Sequence, residues 1–280
     1  MNGPSSLAGK TVLITGGSSG IGRRLALDMA AGGATVVIAS HDPARLRVVE
    51  DELRAVRADA LSVVCDVARD DDVTRMADDV LKRLGHIDIL VNNAGYAVYR
   101  TFVDTDLSEV CRLAEVNLVG VMRCTRVFLP AMVARRSGVI VNMASIAGRV
   151  PLTPNAVYGA SKHGLVALSE ALRYELAPFN IRVHVVCPGR APDTSFFEHE
   201  TFRTRMPRAE TRYTVGVADI SRATLKAIAS GRFMTYVPRA LGLVAWTVNA
   251  LPWLAKPVLG RLMAARVRSY YAAAAAGHDA

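Results

Sequence analysis

The strongest constraint in this sequence is its alternation of short, wholly apolar runs with longer amphipathic ones. "KTVLITG" is an apolar, β-branched run closed by glycine and reads as a buried strand. "IGRRLALDMAAGG" follows with helical periodicity and a glycine stop. The strands "ATVVIAS", "ALSVVCDV", "HIDILVNNAG", "GVIVNMAS" and "IRVHVVCPG" repeat the first pattern. Between them lie the helices "PARLRVVEDELRAV", "DDDVTRMADDVLKRLG", a long one from about Ser108 to Arg136, and "AVYGASKHGLVALSEALRYELA". Strands that are apolar on both sides must be covered on both faces, which calls for a parallel sheet between helical layers. Right-handed crossovers then give an α/β fold with a single doubly wound, Rossmann-type parallel sheet of about seven strands. No Pro-, Gly- or Ser-rich linker divides the chain. It reads as one such domain over residues 1–238, with a lid at about 189–215, and an apolar, basic extension over 239–280.

Composition narrows the function classes. Of the 280 residues 51% are hydrophobic and 21% charged, the balance of a packed protein and not a disordered one. Cys65, Cys111, Cys124 and Cys187 are widely spaced, and neither they nor the histidines form a metal-ligand pattern, so no metal is expected. Reduced thiols and an N-terminus without signal-peptide features predict a cytoplasmic protein. The net charge of +9 raises the question of an anionic partner. The basic residues concentrate in the last eighty positions beside apolar sequence, and no nucleic-acid recognition module is present, so no nucleic-acid partner is expected.

Four motifs carry chemistry. "TGGSSGIG" (Thr15–Gly22) lies between the first strand and the first helix, where Gly16, Gly20 and Gly22 let backbone approach a pyrophosphate at a helix N-terminus. The intervening Ser18, Ser19 and Ile21 belong to the same candidate loop. "NNAG" (92–95) closes the fourth strand and Ser145 the fifth. In "VYGASKHG", Tyr158 and Lys162 stand one helical turn apart on one face. A tyrosine serves as a proton donor or acceptor if a fixed positive charge stabilises its phenolate, so Lys162 is expected to lower the Tyr158 pKa.

These motifs, in this order and spacing, resemble the short-chain dehydrogenase/reductase family over roughly residues 8–190. The resemblance implies a nicotinamide cofactor, hydride transfer between a carbonyl and a secondary alcohol, and a homodimer or homotetramer. It makes Ser145, Tyr158 and Lys162 catalytic, with Asn117 holding a water in the proton relay. It assigns Asp66 and Val67 to the adenine side, and Asn93, Ala94 and Gly95 to the cofactor wall. Lys162 would also hold the nicotinamide ribose. Pro188 and Gly189 carry over from the family's P-G-x-x-x-T pattern, whereas Thr194 falls one residue late, after Pro192. The family's ribose-binding acid is replaced by Ser40, with His41 next and Asp42 one place late. NADP(H) is therefore expected over NAD(H), helped by Arg23 or a protonated His41.

The expected substrate rim is apolar: Tyr96, Val98, Ile146, Val150 and Leu152 from the strand ends, and Phe196, Phe197 and Phe202 from the lid. That predicts a lipophilic ketone or alcohol, and "PDT" before aromatics resembles 3-ketosphinganine-type lipid reductases. The alternative is that these aromatics pack the lid onto the body. The extension around Trp246 and Trp253 has three open readings: attachment at a membrane interface, burial against protein, or a span. A different class of function also stays open, a cofactor-binding regulator without turnover, although such a role would not need Ser145 and Tyr158.

Overall fold

The computed structural model describes residues 7–57, 59–194, 196, 201–202 and 214–276. Seven strands form one sheet: β1 (Thr11–Thr15), β2 (Thr35–Ser40), β3 (Leu61–Val64), β4 (Ile89–Asn92), β5 (Gly138–Met143), β6 (Ile181–Pro188) and β7 (Met234–Val237). All pairs are parallel and the spatial order is 3-2-1-4-5-6-7. The order reverses between β1 and β4, and the loops leaving their carboxyl ends open the crevice where such sheets bind ligands.

The helices are α1 (Gly20–Ala31), α2 (Pro43–Val56), α3 (Asp70–Leu84), α4 (Leu107–Ala114), α5 (Gly120–Arg135), α6 (Ala156–Leu176), α7 (Val217–Ser230), α8 (Ala240–Ala250) and α9 (Pro252–Ala276). Two cores sandwich the sheet. Val12 and Ile14 meet Leu25, Met29, Leu46 and Ile220 on one side, while Leu13 meets Met76, Phe128 and Met132 on the other. Neighbouring positions of β1 thus serve opposite faces, as the wholly apolar run requires.

The helix expected from Ser108 to Arg136 is one axis with a defect. Between α4 and α5, Glu115–Val119 winds as a π-turn and carries Asn117 into the interior. A widened turn of this kind re-aims a side chain without ending the helix. By length and composition Leu107–Arg135 could cross a bilayer; here its apolar side, including Cys124 and Phe128, is core. The apolar C-terminal run bends at Pro252, which ends α8 and occupies the first position of α9, where its missing N–H costs nothing.

Phe128 is fully buried and Phe102 is 66% exposed. Phe128→Ala should lower the unfolding free energy by about 3–5 kcal/mol in urea titration, whereas Phe102→Ala should change it by less than about 0.5 kcal/mol.

Candidate active site

The site begins where the loop after β1 passes the end of β4. Gly16 and Gly20 have φ of +64° and +51°, a region open to glycine at little cost. A Cβ on Gly22 would lie 2.2 Å from the Gly16 carbonyl oxygen, and one on Gly16 would lie 2.8 Å from the Ala94 Cα. Asn93 fastens this crossing. Its Nδ2 donates to the carbonyls of Thr15 (3.1 Å) and Gly16 (3.0 Å), while its own N–H donates to Thr15 Oγ1 (3.1 Å). The glycine turn therefore leads into the N-terminus of α1 with no side chain of its own at Gly16 and Gly20, a cradle that fits a dinucleotide pyrophosphate. Ile21 is half-buried against the core beneath it, and Ser19, just before α1, has extended backbone. Thr194 packs over Gly20, 3.1 Å from where a Cβ would stand, and its hydroxyl donates to the Ala191 carbonyl (2.8 Å).

At the end of β2, Ser18 donates to Ser40 across the loop (2.8 Å). Asp42 is the N-cap of α2: Oδ1 accepts from the N–H groups of Ala44 and Arg45, both 3.0 Å. These backbone bonds hold the carboxyl below its usual pKa. His41 is exposed between them. Arg23, the other expected cation, forms a two-pronged pair with Glu52 (2.8 and 2.7 Å), so its charge is already matched. Asp66 at the end of β3 is also engaged. Burial works against its charge, but hydrogen bonds from Arg112 (2.7 Å) and the Ala68 N–H (3.0 Å) outweigh it and lower the pKa. Val67 is buried against Gly120. Pro188 ends β6, and Gly189 N–H donates to the Val237 carbonyl (2.7 Å).

The chemical half is assembled from four elements. Gly95 follows the crossing, and a Cβ there would stand 2.9 Å from Asn117 Oδ1 and 3.5 Å from Lys162 Nζ. Asn117 is fully buried and locked to the Tyr96 backbone, accepting its N–H (3.0 Å) and donating to its carbonyl (2.8 Å). It also donates to Ser161 Oγ (3.3 Å), which in turn donates to the Tyr158 carbonyl (2.8 Å). Lys162 is buried and donates to the Met143 carbonyl (2.9 Å) at the end of β5. Ser145 accepts the Ala147 N–H (3.1 Å) and hydrogen-bonds the Tyr158 hydroxyl. The structure thus brings Ser145, Tyr158, Lys162 and Asn117 together beside the glycine turn.

The electrostatics differ from the sequence expectation. Burial pushes the Tyr158 phenol up to about 12, with the Ser145 hydrogen bond pulling the other way. The Lys162 ammonium is not on the phenol oxygen: it is committed to Met143 and lies 5.8 Å from the centre of the Tyr158 ring. Burial also pulls Lys162 down to about 8. Cys187 sits fully buried behind the pair, its thiol pushed up to about 12 by burial.

The expected rim is partly rebuilt. Tyr96 turns to α4 and donates to Glu109 (2.7 Å), and burial together with this bond raises its phenol pKa. Val98 is buried. Val150 does not open on a cleft; it packs under Ala245 and Val248 of α8, with Ile146 and Leu152 alongside. Phe196 stands edge-on to Tyr158, ring centres 5.6 Å apart, and Phe202 is buried against Tyr99. Phe197 lies outside the described residues. Sequence reasoning does not single out Tyr99 or Tyr270, and takes Ser161 only as a small residue leaving room beside Tyr158.

Residues 10–201 match the short chain dehydrogenase family. The chain belongs to that family. This dehydrogenase is 35% identical over 224 residues to the ketoacyl reductase HetN of Nostoc sp., covering 80% of this chain and 77% of that one. A short chain dehydrogenase/reductase from Burkholderia phymatum, solved in complex with NAD, superposes with a TM-score of 0.80 at 29% identity, over 89% of this chain and 96% of that one. The actinorhodin polyketide ketoreductase, solved with NADPH, gives 0.76 at 28% identity, over 86% and 99%. The dehydrogenase uses an NAD(P)(H) cofactor, and the cradle at Gly16–Gly22 fits it.

Because its folded pKa is depressed, Lys162 is fully charged only below about 8 and loses charge as pH rises through that value. NADPH affinity should therefore be flat from pH 6 to 7.5 and then weaken, towards roughly tenfold per pH unit if one proton is linked. Fluorescence titration across that range checks this, and Lys162→Met should abolish the slope.

Proposed function

We propose that this dehydrogenase is an NADP(H)-preferring ketoreductase acting on a lipophilic ketone or its secondary alcohol. The observation that carries the reading is the hydrogen-bonded Ser145–Tyr158 pair with Lys162 and Asn117 packed behind it. Kinship with HetN, a ketoacyl reductase, and with a polyketide ketoreductase supports the direction. The turn at Gly16–Gly22 and Lys162 would hold a reduced nicotinamide cofactor, which would supply the hydride for the carbonyl carbon. Tyr158, whose raised pKa keeps the phenol protonated at neutral pH, gives its proton to the carbonyl oxygen as charge develops there. Ser145 donates a hydrogen bond to the same oxygen. Lys162 supplies positive charge beneath the reacting groups, and Asn117, through Ser161 and the Tyr96 backbone, holds the relay side in place.

The preference for NADP(H) rests on the end of β2. Ser40 faces Ser18, while the nearby Asp42 is spent on capping α2 and pairing Arg45 (3.3 Å) and Asp66 is paired with Arg112 (2.7 Å). A 2′-phosphate would meet hydroxyls and His41 there, with no carboxylate committed to ribose.

The lipophilic substrate is supported by aromatic neighbours of Tyr158 and by the extension. Leu243, Trp246, Trp253, Leu254, Val258 and Leu262 are exposed on α8 and α9. Residues 239–276 contain Arg239, Lys256, Arg261, Arg266 and Arg268 and no acid. A cavity of about 350 Å³ beside them is lined by Arg149, His163 and Lys256. This is the chemistry of a surface that rests on anionic lipid. Exposed Ala160, Ala167 and Ala171 along α6, with Met122 and Tyr174, suit the close helix contact of a homodimer or homotetramer.

With a panel of alkyl and aryl ketones, Tyr158→Phe should bind NADPH within about twofold of wild type yet lose on the order of 10²–10⁴ of turnover. Wild-type turnover in that variant, or faster turnover with NADH, would count against the reading. Co-sedimentation should find the full chain on phosphatidylglycerol vesicles and not on phosphatidylcholine, with release by salt.

A further inference from the structure

The cavity of about 350 Å³ between α6 and the bend from α8 into α9 takes no part in the hydride-transfer site: none of Ser145, Tyr158 and Lys162 lines it. Its walls include Arg149 from the turn after β5, His163 from α6, Val248 and Asn249 from the end of α8, and Pro252 and Lys256 from the start of α9. Contacts between distant segments fix these walls. Asn249 Nδ2 donates to the Arg149 carbonyl (2.9 Å), and Val150 packs under Val248. Thr153 donates to the Met263 carbonyl of α9 (3.2 Å). The cavity is thus built by the fold, where the bend at Pro252 meets the loop before α6.

Its chemistry is basic. Arg149, Lys256 and a histidine converge on it, and among the described residues none that lines it is acidic. Arg149 approaches Glu170 of α6 at 3.7 Å and hydrogen-bonds the Tyr236 hydroxyl, but its Nε is buried with no hydrogen-bond partner among the described residues. A buried donor without a partner is costly, and Glu170, 47% exposed, matches the guanidinium only loosely. His163 Nδ1 is held by the Gly159 carbonyl (2.9 Å), so Nε2 is the ring nitrogen left for a ligand. Lys256 is exposed. Two cations and an imidazole around one space suit an anion with more than one charge and several acceptor oxygens. A phosphomonoester has both, about −1.5 to −2 at pH 7 and three oxygens. Next to Pro252 the exposed Trp253 and Leu254 continue the surface as an apolar one.

We infer that this cavity is a binding site for a phosphomonoester, held by Arg149, His163 and Lys256. The ligand is the headgroup of an anionic lipid whose chains lie along Trp253 and Leu254. This rests on the reading of the extension as a lipid-facing surface, and it deepens that reading by naming the group the surface grips. It is independent of the ketoreductase reading, since no proton or hydride passes through the cavity.

The test uses the full chain with saturating NADPH, which occupies the glycine cradle. Calorimetry measures glycerol 3-phosphate. Co-sedimentation measures phosphatidylcholine vesicles that carry phosphatidic acid or, at equal surface charge, phosphatidylglycerol. Glycerol 3-phosphate should bind saturably at one site, and phosphatidic acid should be preferred over phosphatidylglycerol. Lys256→Glu should weaken both phosphomonoester probes by roughly tenfold or more, the scale of one charge-assisted hydrogen bond. Arg261→Glu makes the same charge change on another face of the same helix, and should alter glycerol 3-phosphate affinity by less than about threefold at physiological salt. If Lys256→Glu does not fold, Lys256→Gln takes its place. Non-saturable binding of glycerol 3-phosphate, or equal losses in the two variants, would overturn the site; equal binding of both anionic vesicles would then leave only a diffuse lipid-facing surface. Saturable, Lys256-dependent binding of glycerol 3-phosphate by a chain that stays off both vesicles would keep the phosphate site and overturn its lipid source.

Discussion

The close crossing of two backbone segments at the sheet's switch point governs this molecule. There is no room for a Cβ between the turn after β1 and the end of β4: one on Gly22 would lie 2.6 Å from Asn93 Nδ2, and one on Gly16 2.8 Å from the Ala94 Cα. The crossing is held by Asn93, whose amide bridges two carbonyls that the turn would otherwise leave unpaired. Its geometry passes directly into the chemistry, because Gly95 comes two residues later and lies against Asn117 and Lys162. One contact surface thus shapes the glycine cradle and sets the depth of Asn117 and Lys162.

The second constraint is electrostatic. Lys162 is almost completely removed from water, which disfavours its charge, and a single backbone carbonyl partly compensates. Tyr158 is disfavoured as a phenolate by the same burial. The pair is consequently poised as a protonated phenol above a lysine that titrates near neutrality. That arrangement keeps the phenol protonated at neutral pH. The π-turn at Glu115–Val119 belongs to the same design, since it presses Asn117 into the gap between the Tyr96 backbone and Ser161.

Much of this is legible in the residues. Strand and helix order follows from apolar runs such as "KTVLITG", whose two-sided burial leaves a covered parallel sheet as the outcome. The glycine turn, Ser145, Tyr158 and Lys162 are readable because their spacing is local or tied to strand ends. Side-chain direction is harder. Tyr96 and Tyr99 are both aromatic in one loop, yet Tyr96 turns to Glu109 and Tyr99 packs on Phe202. Asp42 reads as a displaced ribose ligand and is the cap of α2, a role set by the two N–H groups that follow it. Val150 reads as rim and lies under α8, because its partners come from about a hundred residues further along.

The sequence by itself determined the covered parallel sheet, the glycine turn and the placing of Tyr158 and Lys162 on one helical face. Each depends on periodicity or on neighbours within a helical turn. Tertiary structure alone decided the charge states and the aromatic packing. A pKa depends on how much water and which dipoles surround a group, and those come from distant segments. Tyr270 has no local signal among "RSYYAAAAA"; it is buried against Tyr99 only because α9 runs back across the loop after β4.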